Sequence, residues 1–300
     1  NGGGASMRHL FCQQKSRGCS KGLKTNPFEQ WRRRFDAPPL LTTKKVQAFQ
    51  KALGLGVTTL ELDLAVTKDK HIVVSHEPWM NADICLTPGG EDIKKTEEKS
   101  YNIYTMTYEE VKAYDCGSKF NPAFPEQNLE PSYKPLLKEV LNMTDSVSKN
   151  HGKKISYNIE LKSLPEGDDL YHPKPTEFVK LVMDVLQKET DMDRVNLQSF
   201  DFRILKELHE SYPDVTLAAL VYNTDLDSAL TELGFEPEIY SPYYPLVDEN
   251  LIGEAHAKGM KVIPWTVNKI EQMKKLLKFG VDGLITDYPD RALKLRKTEN

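Results

Sequence analysis

From about residue 44 onward, apolar runs of period two alternate with stripes of period 3.6, a pattern that restricts the chain to a parallel α/β sheet or barrel. The clearest run is Thr58 to Val66 (TTLELDLAV). Leu60, Leu62 and Leu64 share one face of that strand, and Glu61, Asp63 and Ala65 share the other. Upstream, Val46, Phe49 and Leu53 form a helical stripe closed by Gly54. Downstream, a turn over Thr67 to Lys70 leads into Ile72 to Val74, followed by Ser75 and His76. So short a connection cannot hold a parallel crossover, so the second run folds back as a hairpin arm. A turn centred near Lys68-Asp69 pairs residue 63 with about 74–75 and brings His76 alongside Asp63.

Between about Glu77 and Pro135 the rhythm breaks into Gly89-Gly90, a charge-rich run and aromatic loops with proline. This reads as an insertion over one end of the sheet, with a short helix near Tyr108 to Tyr114. A helix over 136–148 follows, and then Ile155 to Ser163 (ISYNIELKS) alternates, with Ser156, Asn158, Glu160 and Lys162 on the polar face. Further strands are expected at Val195 to Ser199, Val215 to Tyr222, Glu238 to Ser241, Lys261 to Val267 and Gly283 to Thr286, with helical stripes between them. The fold expected is therefore an α/β (β/α)8 TIM barrel with an insertion after the second strand. Its first strand would fall at about 28–43, where Pro38-Pro39 and three successive arginines make a poor strand. Residues 1–27 read as an extension or linker, and 28–300 as one barrel domain with an insertion at about 77–135.

The 300 residues carry 40 basic and 44 acidic side chains, a net charge of −4. That balance argues against nucleic acid as a partner, because backbone binding needs a basic face. No window reaches roughly 18 apolar residues, so no transmembrane segment is expected. Asn1 to Met7 (NGGGASM) reads as a linker or cleavage scar rather than an apolar signal, which leaves a soluble chain of open localisation. Cys12, Cys19, Cys85 and Cys116 form no CxxC pair and no zinc spacing, yet their even number permits disulfides. Oligomeric state is open.

In a barrel, reactive side chains come from the C-terminal ends of different strands. Glu61 and Asp63 lie late in one strand and Glu160 late in another. Carboxylates on the polar faces of otherwise apolar strands are costly to bury without a cation. Together they form an all-oxygen site suited to one divalent cation, Ca²⁺ or Mg²⁺. His76 is placed to exchange a proton, or to make a local hairpin hydrogen bond. Lys162 either holds an anionic substrate group or pairs with Glu160. Trp265, in PWTVN at a late strand end, walls a pocket or joins the core.

The pieces LGVTTLELDLAVTKD, VVSHEPW, YNIELKS, LQSFD, VIPWTVN and GVDGLITDYPD stand in this order from about Val46 to the C-terminus. In order and spacing they resemble the glycerophosphodiester phosphodiesterase family. The resemblance implies a (β/α) barrel, one divalent cation, and cleavage of small-molecule glycerophosphodiesters into glycerol 3-phosphate and an alcohol. Carried over by position, Glu61, Asp63 and Glu160 become metal ligands, His76 an acid/base histidine, Lys162 a phosphate contact and Trp265 a wall near the glycerol. Two alternatives follow from the same resemblance: a catalytically impaired paralogue that binds the diester, and a lysophospholipase D acting on lipid diesters.

The family's first strand ends in His-Arg-Gly, which supplies a second acid/base histidine and a phosphate arginine. Counted without gaps from Phe49, that place is taken by Arg34, Phe35 and Asp36, and Thr42 to Lys45 replace the family's Pro-Glu-Asn-Thr turn. Matching Ser16-Arg17-Gly18 instead restores an arginine but still puts Ser16 at the histidine. The departure ends at about residue 45, with unchanged spacing into the helix. It belongs either to a diverged paralogue that binds without turnover or to a misread N-terminal segment.

Overall fold

A computed structural model describes residues 46–122, 129–151 and 154–297 of the chain. The expected first strand at 28–43, the extension 1–27 and the Arg34 to Asp36 position lie outside the described residues. Among the described residues, seven strands form one sheet in the order β2-β1-β3-β4-β5-β6-β7. They are β1 (Thr59–Val66), β2 (Ile72–Val74), β3 (Ser156–Leu161), β4 (Val195–Ser199), β5 (Thr216–Val221), β6 (Ile239–Pro242) and β7 (Lys261–Val262). Every pairing is parallel except β1 with β2, the expected antiparallel hairpin, in which Leu64 faces Val74. Helices α1 (Val46–Leu55), α2 (Tyr108–Lys112) and α3 (Leu137–His151) fall before and between the early strands. From β3 on, each strand is followed by a helix: α4 (Pro175–Glu189), α5 (Phe202–Ser211), α6 (Leu226–Leu233), α7 (Glu249–Ala257) and α8 (Ile270–Phe279); α9 (Pro289–Lys297) ends the described chain. This is the (β/α) barrel order the alternating periods predict. Among the described residues no helix is long and apolar enough to cross a membrane.

The period-two pattern settles which face goes where. Leu60, Leu62, Leu64, Tyr157, Ile159, Leu161 and Leu197 pack outward in one buried cluster with Phe49, Leu137, Leu141 and Phe178 from the helices. At about 25 cal/mol per Å² of apolar area, this seam between strands and helices is the main source of stability. The opposite faces turn inward. Ala218, Ile239, Ile263 and Ile285 gather inside with Trp265 packed against them, and the interior on the β1, β3 and β4 side carries the polar residues described below.

Two late strands differ from expectation. The run expected over Lys261 to Val267 is regular only at Lys261–Val262, because Pro264 has no N–H for the ladder. Gly283 to Thr286 is an extended segment rather than a regular strand: Asp282 N–H donates to Val262 O at 2.9 Å and Ile285 N–H to Pro264 O at 2.9 Å, while Val267 N–H donates to Ile285 O at 2.8 Å. These bonds advance in the same direction along both segments, so 282–286 still runs as the next parallel stave. Gly280 closes α8 in the left-handed region at φ 97°, which a side chain adopts only with strain.

The insertion folds around its own small core. Met80, Ile84, Ile93, Ile103, Tyr108 and Val111 pack against Ala65 and Val73 of the hairpin. Cys85 and Cys116 are joined there by a disulfide. The returning chain pairs back onto β2, with Leu136 opposite Val73 in an antiparallel bridge and Val74 N–H donating to Pro135 O at 2.8 Å. Thr107 caps α2 and its Glu110 closes a capping box. Closing a loop over a sequence separation of 31 stabilises by about 3.7 kcal/mol through the unfolded state. Reduction, or the double change Cys85→Ser/Cys116→Ser, is therefore expected to lower Tm by about 5 °C. Calorimetry with and without reductant checks it, and an unchanged Tm counts against the bridge.

Candidate active site

Parallel pairing of β1 with β3 sets Asp63 directly opposite Glu160 and Glu61 opposite Asn158. All four alternate with outward leucine, isoleucine or tyrosine and so point into the barrel. One carboxylate oxygen from each of Glu61, Asp63 and Glu160 lies within 4.8 Å of the others. Asp63 is 2% exposed and Glu160 5%. Lys162, two residues beyond Glu160, reaches back between them, with Nζ 3.0 Å from Glu160 Oε2 and 3.4 Å from Asp63 Oδ1. Its one positive charge offsets one of three negative ones.

A second layer holds Glu61. Asn158 Nδ2 donates to Gln198 Oε1 at 2.8 Å, and Gln198 Nε2 donates to Glu61 Oε1 at 3.1 Å. A neutral amide chain across β3 and β4 thus fixes one carboxylate without adding charge. The donor set fits a hard divalent cation, which takes carboxylate oxygens and no sulfur or imidazole. The spacing fits too, since carboxylate oxygens within 4.8 Å of one another are close enough for one cation with oxygen ligands at about 2.3–2.6 Å to be held by all three.

His76 follows the hairpin arm at the same end of the sheet. Ser75 N–H donates to Asp63 O at 2.9 Å, so the expected pairing of 63 with 74–75 holds and His76 is the next residue along. Its ring is more than half exposed, and Nδ1 lies 2.9 Å from Glu77 Oε1. Burial opposes ionisation of Glu77, but the hydrogen bond and charge of His76, the charge of Lys134 and a hydrogen bond from Asn81 outweigh it and bring its pKa down to about 2. Lys134 is itself buried, with Nζ donating to Ser75 Oγ at 2.7 Å.

Trp265 lies among aromatic side chains that follow successive strands. Its ring meets Phe200 edge-on at 5.2 Å and lies 5.4 Å from Tyr243 and 6.2 Å from Tyr222. Trp265 Nε1–H donates to Ser241 O at 2.8 Å, which fixes the indole. Continuing the β3–β4 register from Glu160 opposite Gln198 sets Phe200 opposite Lys162, so the aromatic group adjoins the charged residues. The loops after β3 and β4 are tied together by Arg203, which donates to both Asp168 and Asp201, while Ser163 Oγ donates to Asp201 at 2.7 Å. Burial opposes ionisation of Asp201, but these bonds hold its carboxyl below the usual range.

The structure brings together Glu61, Asp63, Glu160 and Lys162, sets His76 next to the residue bonded to Asp63, and packs Trp265 with Phe200, Tyr222 and Tyr243. Sequence reasoning passed over Gln198, Glu77, Lys134 and the rings around Trp265. Gln198 sits inside the quoted LQSFD run and Glu77 directly follows His76, so both had a local signal. Lys134 had none, because its contact with Ser75 spans 59 positions.

The chain is similar to known proteins over most of its length. Residues 44–291 match the model of the glycerophosphoryl diester phosphodiesterase family. A glycerophosphodiester phosphodiesterase of Bacillus altitudinis is 30% identical over 256 residues, 83% of this chain and 91% of that protein. One from Caldanaerobacter subterraneus subsp. tengcongensis is 29% identical, covering 83% of this chain and 90% of the relative. Among solved structures, a Silicibacter pomeroyi DSS-3 protein provisionally named a glycerophosphoryl diester phosphodiesterase superposes with a TM-score of 0.77 at 26% identity, covering 87% of this chain and 92% of that one. With most of its length matched, the chain belongs to the glycerophosphoryl diester phosphodiesterase family.

Proposed function

We propose that the protein is a phosphoric diester hydrolase that uses one divalent cation to cleave small-molecule glycerophosphodiesters, releasing glycerol 3-phosphate and an alcohol. The observation that carries this reading is the convergence of Glu61, Asp63 and Glu160 oxygens within 4.8 Å of one another. Those three carboxylates would hold the cation, which when bound supplies positive charge to the phosphoryl oxygens. Lys162, already poised over Asp63 and Glu160, turns its ammonium to a phosphate oxygen and adds a charge-assisted hydrogen bond. His76 exchanges a proton at Nε2 while Nδ1 stays on Glu77. The face of Trp265 excludes water from the carbon skeleton of the substrate. The balance is that of hydrolysis: the P–O bond to the alcohol breaks, a P–O bond to the oxygen of water forms, the water gives up a proton, and the leaving oxygen takes one up.

Release of glycerol 3-phosphate from glycerophosphocholine, assayed with and without EDTA, tests the reading. Chelation is expected to abolish turnover and added Ca²⁺ or Mg²⁺ to restore it. His76→Ala is expected to lower kcat by about 10²- to 10⁴-fold, the usual worth of a positioned acid/base. Turnover that ignores EDTA and survives both Glu61→Ala and His76→Ala would overturn the proposal. Lys162→Met separates substrate from cation. It is expected to lower kcat/KM by about 10- to 100-fold, the loss of one charged hydrogen bond, while calorimetric affinity for the cation is kept or improved because a competing ammonium has left the carboxylates.

A further inference from the structure

Lys134 is a charged residue with almost no access to water, 6% exposed, supplied by the far end of the insertion. Burying an ammonium is costly unless it is engaged, so its surroundings ask for an explanation. It reaches its place because the returning chain pairs antiparallel with β2: Leu136 stands opposite Val73, and Val74 N–H donates to Pro135 O. Continuing that register lays Lys134 beside Ser75.

From there a continuous set of contacts runs to the histidine. Lys134 Nζ donates to Ser75 Oγ at 2.7 Å. The Ser75 hydroxyl donates to the main-chain oxygen of Glu77 at 2.5 Å. Glu77 Oε1 lies 2.9 Å from His76 Nδ1. The groups that act on the Glu77 carboxylate are His76 on its own segment, Lys134 across the insertion and Asn81 further along the loop. Of these, Lys134 brings a positive charge and His76 a direct hydrogen bond to the carboxylate. Its charge stays available to the imidazole, and its backbone is fixed by the serine.

We propose that Lys134, through Ser75 and Glu77, positions His76, holding the imidazole as its Nδ1–H tautomer so that Nε2 is the nitrogen left for proton transfer. An exposed histidine on a hairpin end otherwise samples several rotamers and both tautomers. A carboxylate on Nδ1 selects one tautomer and one ring orientation, and the buried ammonium keeps that carboxylate in place. Lys134 and Glu77 are positioning residues, since neither is required to touch substrate.

The inference rests on His76 acting as proposed above, so the experiment reads the histidine both through turnover and without it. The variants are Lys134→Met, close in length but uncharged, Lys134→Arg, Ser75→Ala and Glu77→Met. Each is compared with the unaltered chain by glycerophosphocholine kinetics and by the ¹⁵N NMR shifts of the His76 ring at neutral pH. Lys134→Met is expected to lower kcat about 10-fold and Glu77→Met about 100-fold, with KM within twofold, while Lys134→Arg recovers most of the loss. In parallel, the Nδ1–H signal of His76 is expected to dominate in the unaltered chain and to give way to a mixture of tautomers in Lys134→Met and Glu77→Met. Should Lys134→Met fail to fold, Ser75→Ala carries the same two readouts with little change in volume. An unchanged tautomer population in Lys134→Met, or in Ser75→Ala where that variant stands in, overturns the proposal whatever the kinetics. Should the unaltered chain show no turnover, the NMR arm still decides the positioning of His76, and that failure belongs to the functional reading alone.

Discussion

Two carboxylates facing each other across a parallel strand pair are the constraint on which the rest of the site depends. Asp63 and Glu160 are forced opposite one another by the β1–β3 register, and both are nearly inaccessible to water. Like charges so placed raise the free energy of the folded state unless something answers them. The chain answers in two ways. It returns its own cation, Lys162, from two residues down the same strand, and it holds the third carboxylate, Glu61, with an amide of Gln198. An oxygen cluster maintained in that manner suits a divalent ion in a way that an ordinary buried ion pair does not.

The barrel interior is divided, and the division follows chain order. Inward positions on β1, β3 and β4 are Glu61, Asp63, Asn158, Glu160 and Gln198, whereas β5, β6 and the last two staves contribute Ala218, Ile239, Ile263 and Ile285. At the strand ends the β3–β4 register sets Phe200 opposite Lys162, and Tyr222, Tyr243 and Trp265 continue the aromatic group from there. Such a cleft presents charge to one end of an amphiphilic molecule and an apolar face to the other. The low polarity of the aromatic side also strengthens each electrostatic contact made nearby.

How much of this was legible in the sequence depends on the range of the interaction. The faces of β1 and β3 followed from period two alone, because a strand with leucine at every second position has nowhere to put Glu61, Asp63 and Glu160 but inward. The hairpin followed from the length of its turn, and with it the nearness of His76 to Asp63. What the sequence blurred were features decided by tertiary pairing. Lys261 to Val267 looked like one strand, but Pro264 interrupts its ladder, and Gly283 to Thr286 is a stave by virtue of three backbone bonds rather than a regular strand. Phe200, Tyr222 and Tyr243 gave no sign that they would meet Trp265, since each arrives on a separate strand end. The family's His-Arg-Gly position, where Arg34, Phe35 and Asp36 stand, lies outside the described residues.

The insertion shows the same lesson from the other side. Its composition reads as loop, yet it is held at several independent points: the Cys85–Cys116 disulfide, the apolar cluster around Ile103 and Tyr108, and the Val73–Leu136 bridge. It also meets the loop after β3, where Asn102 Nδ2 donates to Leu170 O at 2.7 Å and Trp79 packs edge-on against Tyr171. A segment anchored this way transmits position, because a shift in its core has to move the return strand as well. The returning segment carries Lys134, and Lys134 lies one serine away from the residues around His76. The histidine's setting is therefore fixed from the insertion as much as from the barrel, which is why no local reading of VVSHEPW could supply it.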